Sequence, residues 1–185
     1  EALANGPRIH INDPESPTWK AARSDKYPLI DEPRWCNIKI AAGTLGFNVG
    51  HVYDVDNTIP RSTTKALFKG RQIARQYHEA FKEFHPAFRN SVLVTTAPLM
   101  GIRETRRIIG EYYLTGDDYR QRRSFDDEIC RSAYGIDIHG SRESAKKAVD
   151  MTIEEIQARN ARIVQPLKPG ESFGVPYRCL LPKGL

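Results

Sequence analysis

Arg103, Glu104, Arg106 and Arg107 place four charged side chains within five residues. A guanidinium is a planar fork of donors that matches carboxylate or phosphate oxygens two at a time, so three of them close together suit an anionic ligand. Glu104 then either orients one of the arginines or joins them in an ion-pair network that pins neighbouring segments. Further along, Asp137 and His139 lie two residues apart, and on a strand that spacing puts both on one side. Such a pair offers a base with its orienting carboxylate, or two groups facing a ligand. The same two residues also suit a plainer arrangement, with Asp137 capping a turn and His139 bonded to backbone.

These groups need elements to hold them. The run 92–97 is apolar and reads as a buried strand, broken by Pro98 and Gly101, and apolar strand character resumes over 108–114. The charge cluster therefore falls between two strands, at a sheet end, where ligand contacts concentrate. Strand signals recur at 35–41, where Cys36, Ile38 and Ile40 alternate onto one face, and at 47–55, 106–114, 133–138 and 175–181. Residues 62–85 form the clearest helix. Ala66, Ile73, Ala74, Tyr77, Phe81 and Phe84 make one apolar stripe, Ser62, Thr63 or Thr64 suits the cap, and Pro86 stops it.

Shorter signals fill the remainder. Ser16 and Pro17 mark the start of a short helix within 16–23. Ser124 with Asp127 or Glu128 resembles the start of another over 125–130, and 151–164 has helical spacing at Ile153, Ile156 and Ile163. Pro166, Pro169 and Gly170 read as a linker. The expected fold is α+β, a mostly antiparallel sheet with one long helix packed on it. Five prolines make residues 1–34 an irregular, extended arm, and 35–185 is read as a single domain.

Composition narrows the choices. With 39% hydrophobic and 28% charged residues, the 185-residue chain fits a soluble globular protein. No apolar run approaches the ~20 residues of a membrane span, and no signal-peptide pattern is present. The three cysteines, Cys36, Cys130 and Cys179, show neither zinc nor disulfide spacing, which fits reduced thiols and a cytoplasmic location. His78 and His85 share a helix face without a carboxylate or thiol to complete a metal set. The acidic turn 54–57 lacks the glycine and glutamate of a calcium loop. There is no GxSxG elbow and no GxGxxG fingerprint. A net charge of +5 permits a second reading, a basic non-catalytic module binding an acidic protein or RNA. Tyr112 and Tyr113 are thin aromatic support for a nucleic-acid face. A chain beginning at Glu1 reads as a processed product or an internal piece of something longer.

The ordered run from Gly101 to Tyr112 (Gly-Ile-Arg-Glu-Thr-Arg-Arg-Ile-Ile-Gly-Glu-Tyr) resembles the signature of a bacterial family of FAD-dependent oxidoreductases of the glutathione-reductase type. The similarity continues at Leu114 and Thr115, over 134–139 and over 175–185. It covers roughly Cys36 to the end. The resemblance implies FAD as the cofactor of the parent protein. It makes this chain the substrate-side part that approaches the flavin, with a small-molecule substrate and the remainder of the flavoprotein chain as partners. Arg103, Glu104, Arg106 and Arg107 become cofactor-binding candidates, forking onto an anionic substrate group, the N1–C2=O edge of the flavin or its phosphates. Asp137 and His139 become candidates for moving a proton. Lacking the glycine fingerprint, the isolated chain is expected to be inactive.

Overall fold

The computed structural model describes residues 15–33, 35–103, 106–136, 140–152, 154–156, 158, 159 and 166–184. In chain order the elements are α1 (Pro17–Ala22), β1 (Trp35–Ala41), β2 (Thr44–Val49), α2 (Pro60–Phe84), a 3-10 turn (Pro86–Phe88), α3 (Gly116–Arg120), β3 (Glu128–Ser132), α4 (Arg142–Val149), β4 (Phe173–Pro176) and a second 3-10 turn (Tyr177–Cys179). They fall into two compact units. Unit 1 lies within Glu1–Arg103 and Gly140–Ile156, and unit 2 within Glu104–His139 and Gln157–Leu185.

Unit 1 is organised by α2. Its buried residues match the predicted stripe at Ala66, Ile73, Tyr77 and Phe81 and add Ala80, while Ala74 and Phe84 are half-buried. The stripe packs on the antiparallel hairpin β1–β2, in which Trp35 pairs with Val49, Asn37 with Phe47 and Lys39 with Leu45. Trp35, Phe47 and Phe81 meet with ring centroids 4.9 to 5.7 Å apart. Only Trp35 of β1 is buried, so the alternating Cys36, Ile38 and Ile40 form the outward face of the hairpin. The chain before β1 also joins this core: Ala21, Tyr27 and Ile30 are buried in it, and the Tyr77 hydroxyl donates to the Glu32 carbonyl at 2.6 Å. Ser16 stands at the N-cap of α1 with Pro17 in the first turn, as read from the sequence. The cap of α2 is Ile59 rather than Ser62, Thr63 or Thr64, because Pro60 already has the fixed φ that suits a first helical position.

Unit 2 is built on the antiparallel pair β3–β4, with Arg131 opposite Gly174 and Ser132 opposite Phe173. Tyr119 on α3 and Phe173 on β4 are its buried aromatics, with ring centroids 5.3 Å apart.

The α+β class holds, with one long helix and antiparallel strands, but among the described residues the strands form two separate two-stranded sheets instead of one. Several predicted strands are corrected. Residues 92–97 carry no ladder, and Val92 and Val94 are each 77% exposed. An apolar run registers β preference, whereas a strand also needs a neighbour for its N–H and C=O groups, and no described residue supplies one. Of 106–114, only Gly110 enters a bridge, with Pro182. The second strand ends at Val49, where Gly50 turns the chain at φ 72°. Of the strand expected at 133–138, residues 133–136 carry no ladder and 137 and 138 lie outside the described residues; a strand forms earlier, at β3, and replaces the helix predicted over 125–130. There the Phe125 amide is taken by the Glu128 carboxylate within a turn, which leaves 128–132 to pair with β4. The final strand stops at Pro176, where the Tyr177 amide turns aside to the Asp127 carbonyl at 2.7 Å. Thr152 and Glu155 exchange hydrogen bonds as a capping box at the head of the helical residues 154–156; residues 153, 157 and 160–164 of the predicted 151–164 helix lie outside the described ones. No helix among the described residues is long and apolar enough to cross a membrane.

Candidate functional site

Two of the stretches that carry the family resemblance come together in unit 2, at 109–112 and 178–183, through backbone bonds. The Lys183 amide donates to the Ile109 carbonyl at 2.7 Å, the Glu111 amide to the Leu181 carbonyl at 2.8 Å, and the Tyr112 amide to the Arg178 carbonyl at 3.3 Å. Gly110 lies at the tightest point. A Cβ there would sit 3.1 Å from the Cys179 carbonyl oxygen, closer than side-chain carbons normally approach.

Tyr112 is held on three sides. Its hydroxyl donates to the Asp118 carboxylate at 2.9–3.0 Å, its ring meets Phe125 edge to face at 5.4 Å, and the Arg178 guanidinium stacks on it at 5.2 Å. Asp118 is fully buried and also accepts from the amide and hydroxyl of Thr115, each at 2.8 Å, while Arg123 pairs with it at 2.8 Å. Burial alone would raise its pKa; the Thr115 donors, Tyr112 and Arg123 outweigh that and hold the carboxyl below its ordinary range. Asp127 is likewise lowered, the amide and guanidinium of Arg178 overriding desolvation.

Arg106 and Arg107 emerge just upstream of this support. Both are exposed, and among the described residues neither has an ion-pair partner. Their neighbours in unit 2 differ: Arg120, Arg122, Arg123, Arg131 and Arg178 are all paired with acids. Arg103 is exposed and belongs to unit 1. Glu104, Asp137 and His139 lie outside the described residues.

Unit 1 contains a titratable cluster that the sequence did not reveal. His51 Nδ1 lies 2.5 Å from the Glu32 carboxylate, and the Tyr53 ring is 5.9 Å from the His51 ring. The Tyr53 hydroxyl is pushed up to about 12, first by burial and then by Glu32 and Asp31. Asp31 in turn pairs with Arg142 at 2.7 Å and lies 3.6 Å from Lys146. The backbone around His51 is constrained. A Cβ on Gly50 would fall 2.7 Å from Ile73, and Asp54 adopts φ 60°, a left-handed conformation that asparagine and aspartate tolerate better than most residues. Glu32 and His51 are far apart in the chain, so no local spacing could have announced them.

The predicted histidine pair separates into two structural roles. His78 Nε2 lies 3.1 Å from Ser91 Oγ, and buried His85 accepts the Ala87 amide at 3.2 Å. No cluster of three or more metal-ligating residues occurs among the described ones. Cys36, Cys130 and Cys179 are free thiols.

No curated protein and no solved structure matches the chain. The family model described as FAD dependent oxidoreductase matches residues 8–185, and the chain therefore belongs to the FAD-dependent oxidoreductase family.

Proposed function

We propose that this chain forms the substrate-side and flavin-approach region of a glutathione-reductase-type oxidoreductase, with residues 35–185 as its working part. The observation that carries the reading is the pair Arg106 and Arg107, left without ion-pair partners among the described residues, whereas Arg120, Arg122, Arg123, Arg131 and Arg178 of the same unit are all paired with acids. Solvated guanidiniums on a rigid support suit an anionic edge of the flavin. Arg103 and Glu104 belong to the same signature, with Glu104 orienting one of the arginines. Asp137 and His139 line the site and move a proton to or from the substrate. The substrate is a small molecule, the partner is the remainder of the flavoprotein chain, and the compartment is the cytoplasm.

The described residues fit one part of FAD and not another. The arginines match an anionic ring edge. A pyrophosphate instead calls for a glycine turn that leads a strand into an open helix N-terminus. Three of the described helix starts are unsuited to it: α3 has Asp117 and Asp118 in its first turn, α4 has Glu143, and α2 opens on Ile59 and Pro60. When bound, FAD supplies the electron-accepting ring. The chain's own contribution is to set positive charge beside that ring and to shape the substrate side.

The test is the absorbance spectrum of the protein expressed from its full reading frame. Flavin bands are expected in the parent and are expected to be lost from an Arg103→Ala/Arg107→Ala variant. Bands retained at full stoichiometry would remove the arginines from the cofactor. The isolated 185-residue chain is expected to be colourless; a yellow chain with one FAD per molecule would show that the pyrophosphate site lies within it.

A further inference from the structure

We propose that Asp118 is a positioning residue for Arg106 and Arg107, acting through Tyr112 and Thr115 to fix the path of the signature segment. The inference rests on the reading that those arginines hold FAD.

Asp118 does more than its helix requires. In a capping box, a threonine at the N-cap and an acid three residues later satisfy each other's amides, and Thr115 with Asp118 does this for α3. Yet α3 is a five-residue helix, and the Asp118 carboxylate takes two further partners that the cap does not need. The Tyr112 hydroxyl reaches both of its oxygens, and Arg123 pairs with it. Burying a carboxylate costs free energy that its partners must offset, so a fully buried one with four donors calls for a use beyond a short helix. The segment that gains is 109–115. Asp118 fixes it at Tyr112 and Thr115, and the bonds to 181–183 fix it at Ile109 and Glu111. Arg106 and Arg107 project from the residues immediately before that clamp. A ligand-binding side chain works only if its own support is held, which is the part a buried, fully bonded carboxylate plays.

The test uses the full-length, FAD-binding protein. FAD is titrated into the apoprotein and its fluorescence change followed for Asp118→Asn, Tyr112→Phe and Arg106→Ala/Arg107→Ala, each checked for native circular dichroism. Losing the arginines should weaken FAD binding ~10-fold or more, the scale of a hydrogen bond to a charged group. Asp118→Asn should weaken it by several-fold and Tyr112→Phe by less, with Asp118→Glu failing to restore it because the longer side chain cannot meet Tyr112 and Thr115 together. The decisive readout is coupling: Asp118→Asn should cost nothing further in the Arg106→Ala/Arg107→Ala background, because its effect passes through those side chains. Unchanged affinity in folded Asp118→Asn and Tyr112→Phe, or losses that multiply with the arginine variant, would overturn the proposal while leaving the arginines at the cofactor. If Asp118→Asn does not fold, Tyr112→Phe decides alone. An Arg106→Ala/Arg107→Ala protein that binds FAD as the parent does would overturn the flavin reading itself, and this inference with it.

Discussion

Phe81 and Asp118 sit at the centres of the two units, and their surroundings have little in common. Phe81 is enclosed by the rings of Trp35, Phe47, Tyr77 and Phe88, in a core that also takes Tyr27, Ile30 and Ile73. Asp118 is enclosed by donors, and beyond it unit 2 is laced by Arg122 with Glu171, Arg131 with Glu128 and Arg178 with Asp127. One unit is held by area removed from water, which is non-directional and tolerant of small shifts. The other is held by hydrogen-bond geometry, which fixes atoms in place but gives little net stability per contact. The unit held by hydrogen-bond geometry is the one that contains residues 106–112 of the signature.

The comparison is most strongly tested by Phe81→Ala. The loss of a buried ring should cost about 4 kcal/mol. Hydrogen exchange should show the amides of β1, β2 and α2 losing protection while those of β3 and β4 keep theirs. Equal loss in both units would mean that they unfold as one. Asp118→Ala is the converse, expected to cost about 3 kcal/mol by leaving Arg123 and the Thr115 donors without their acceptor. Its loss of protection should be confined to 109–132 and 173–183.

The smallest effect is the pH response, and its sign differs between the units. Asp118, Asp127, Glu128 and Glu171 all titrate below their ordinary range when folded. The stability they contribute is present above the ordinary carboxylate range and is lost as pH falls through the lowered values. Acid should therefore open unit 2 first; among the described residues of unit 1 only the exposed Glu83 and Glu143 act in the same direction. The raised hydroxyls of unit 1, Tyr27 and Tyr77 by burial and then by Glu83 and Glu32 respectively, and Tyr53 at about 12, work the other way. They stay neutral in the folded state while the unfolded chain ionises, so stability is lost as pH rises above the ordinary tyrosine value. Unfolding of the two units followed below the ordinary carboxylate range and above the ordinary tyrosine value should be mirror images; a unit 2 that outlasts unit 1 in acid would end the contrast.

The same contrast explains what could be read from the sequence. The stripe on α2 and the β1–β2 hairpin are local patterns, and their periods are written in consecutive residues. The pairing of β3 with β4 joins segments some forty residues apart, and α3 is a five-residue helix set by one Thr–Asp exchange. Neither leaves a periodic trace. The arginines of the signature were legible because charge between apolar runs is conspicuous. Asp118 has no signal in the sequence, since its importance lies in Tyr112, Thr115 and Arg123 converging on it. Glu32 and His51 were missed for the same reason: their meeting is made by the fold.

The placement of the two indole rings has an optical consequence. Trp19 and Trp35 are the only tryptophans in the sequence, and both are buried in unit 1. Emission excited at the red edge of the protein band will follow the scaffold alone. The region around Asp118 will be silent in that channel, so a smooth single-step melt recorded by tryptophan will say nothing of whether the signature segment has already come loose. A new tryptophan in place of Phe125, against Tyr112, would give that region its own signal.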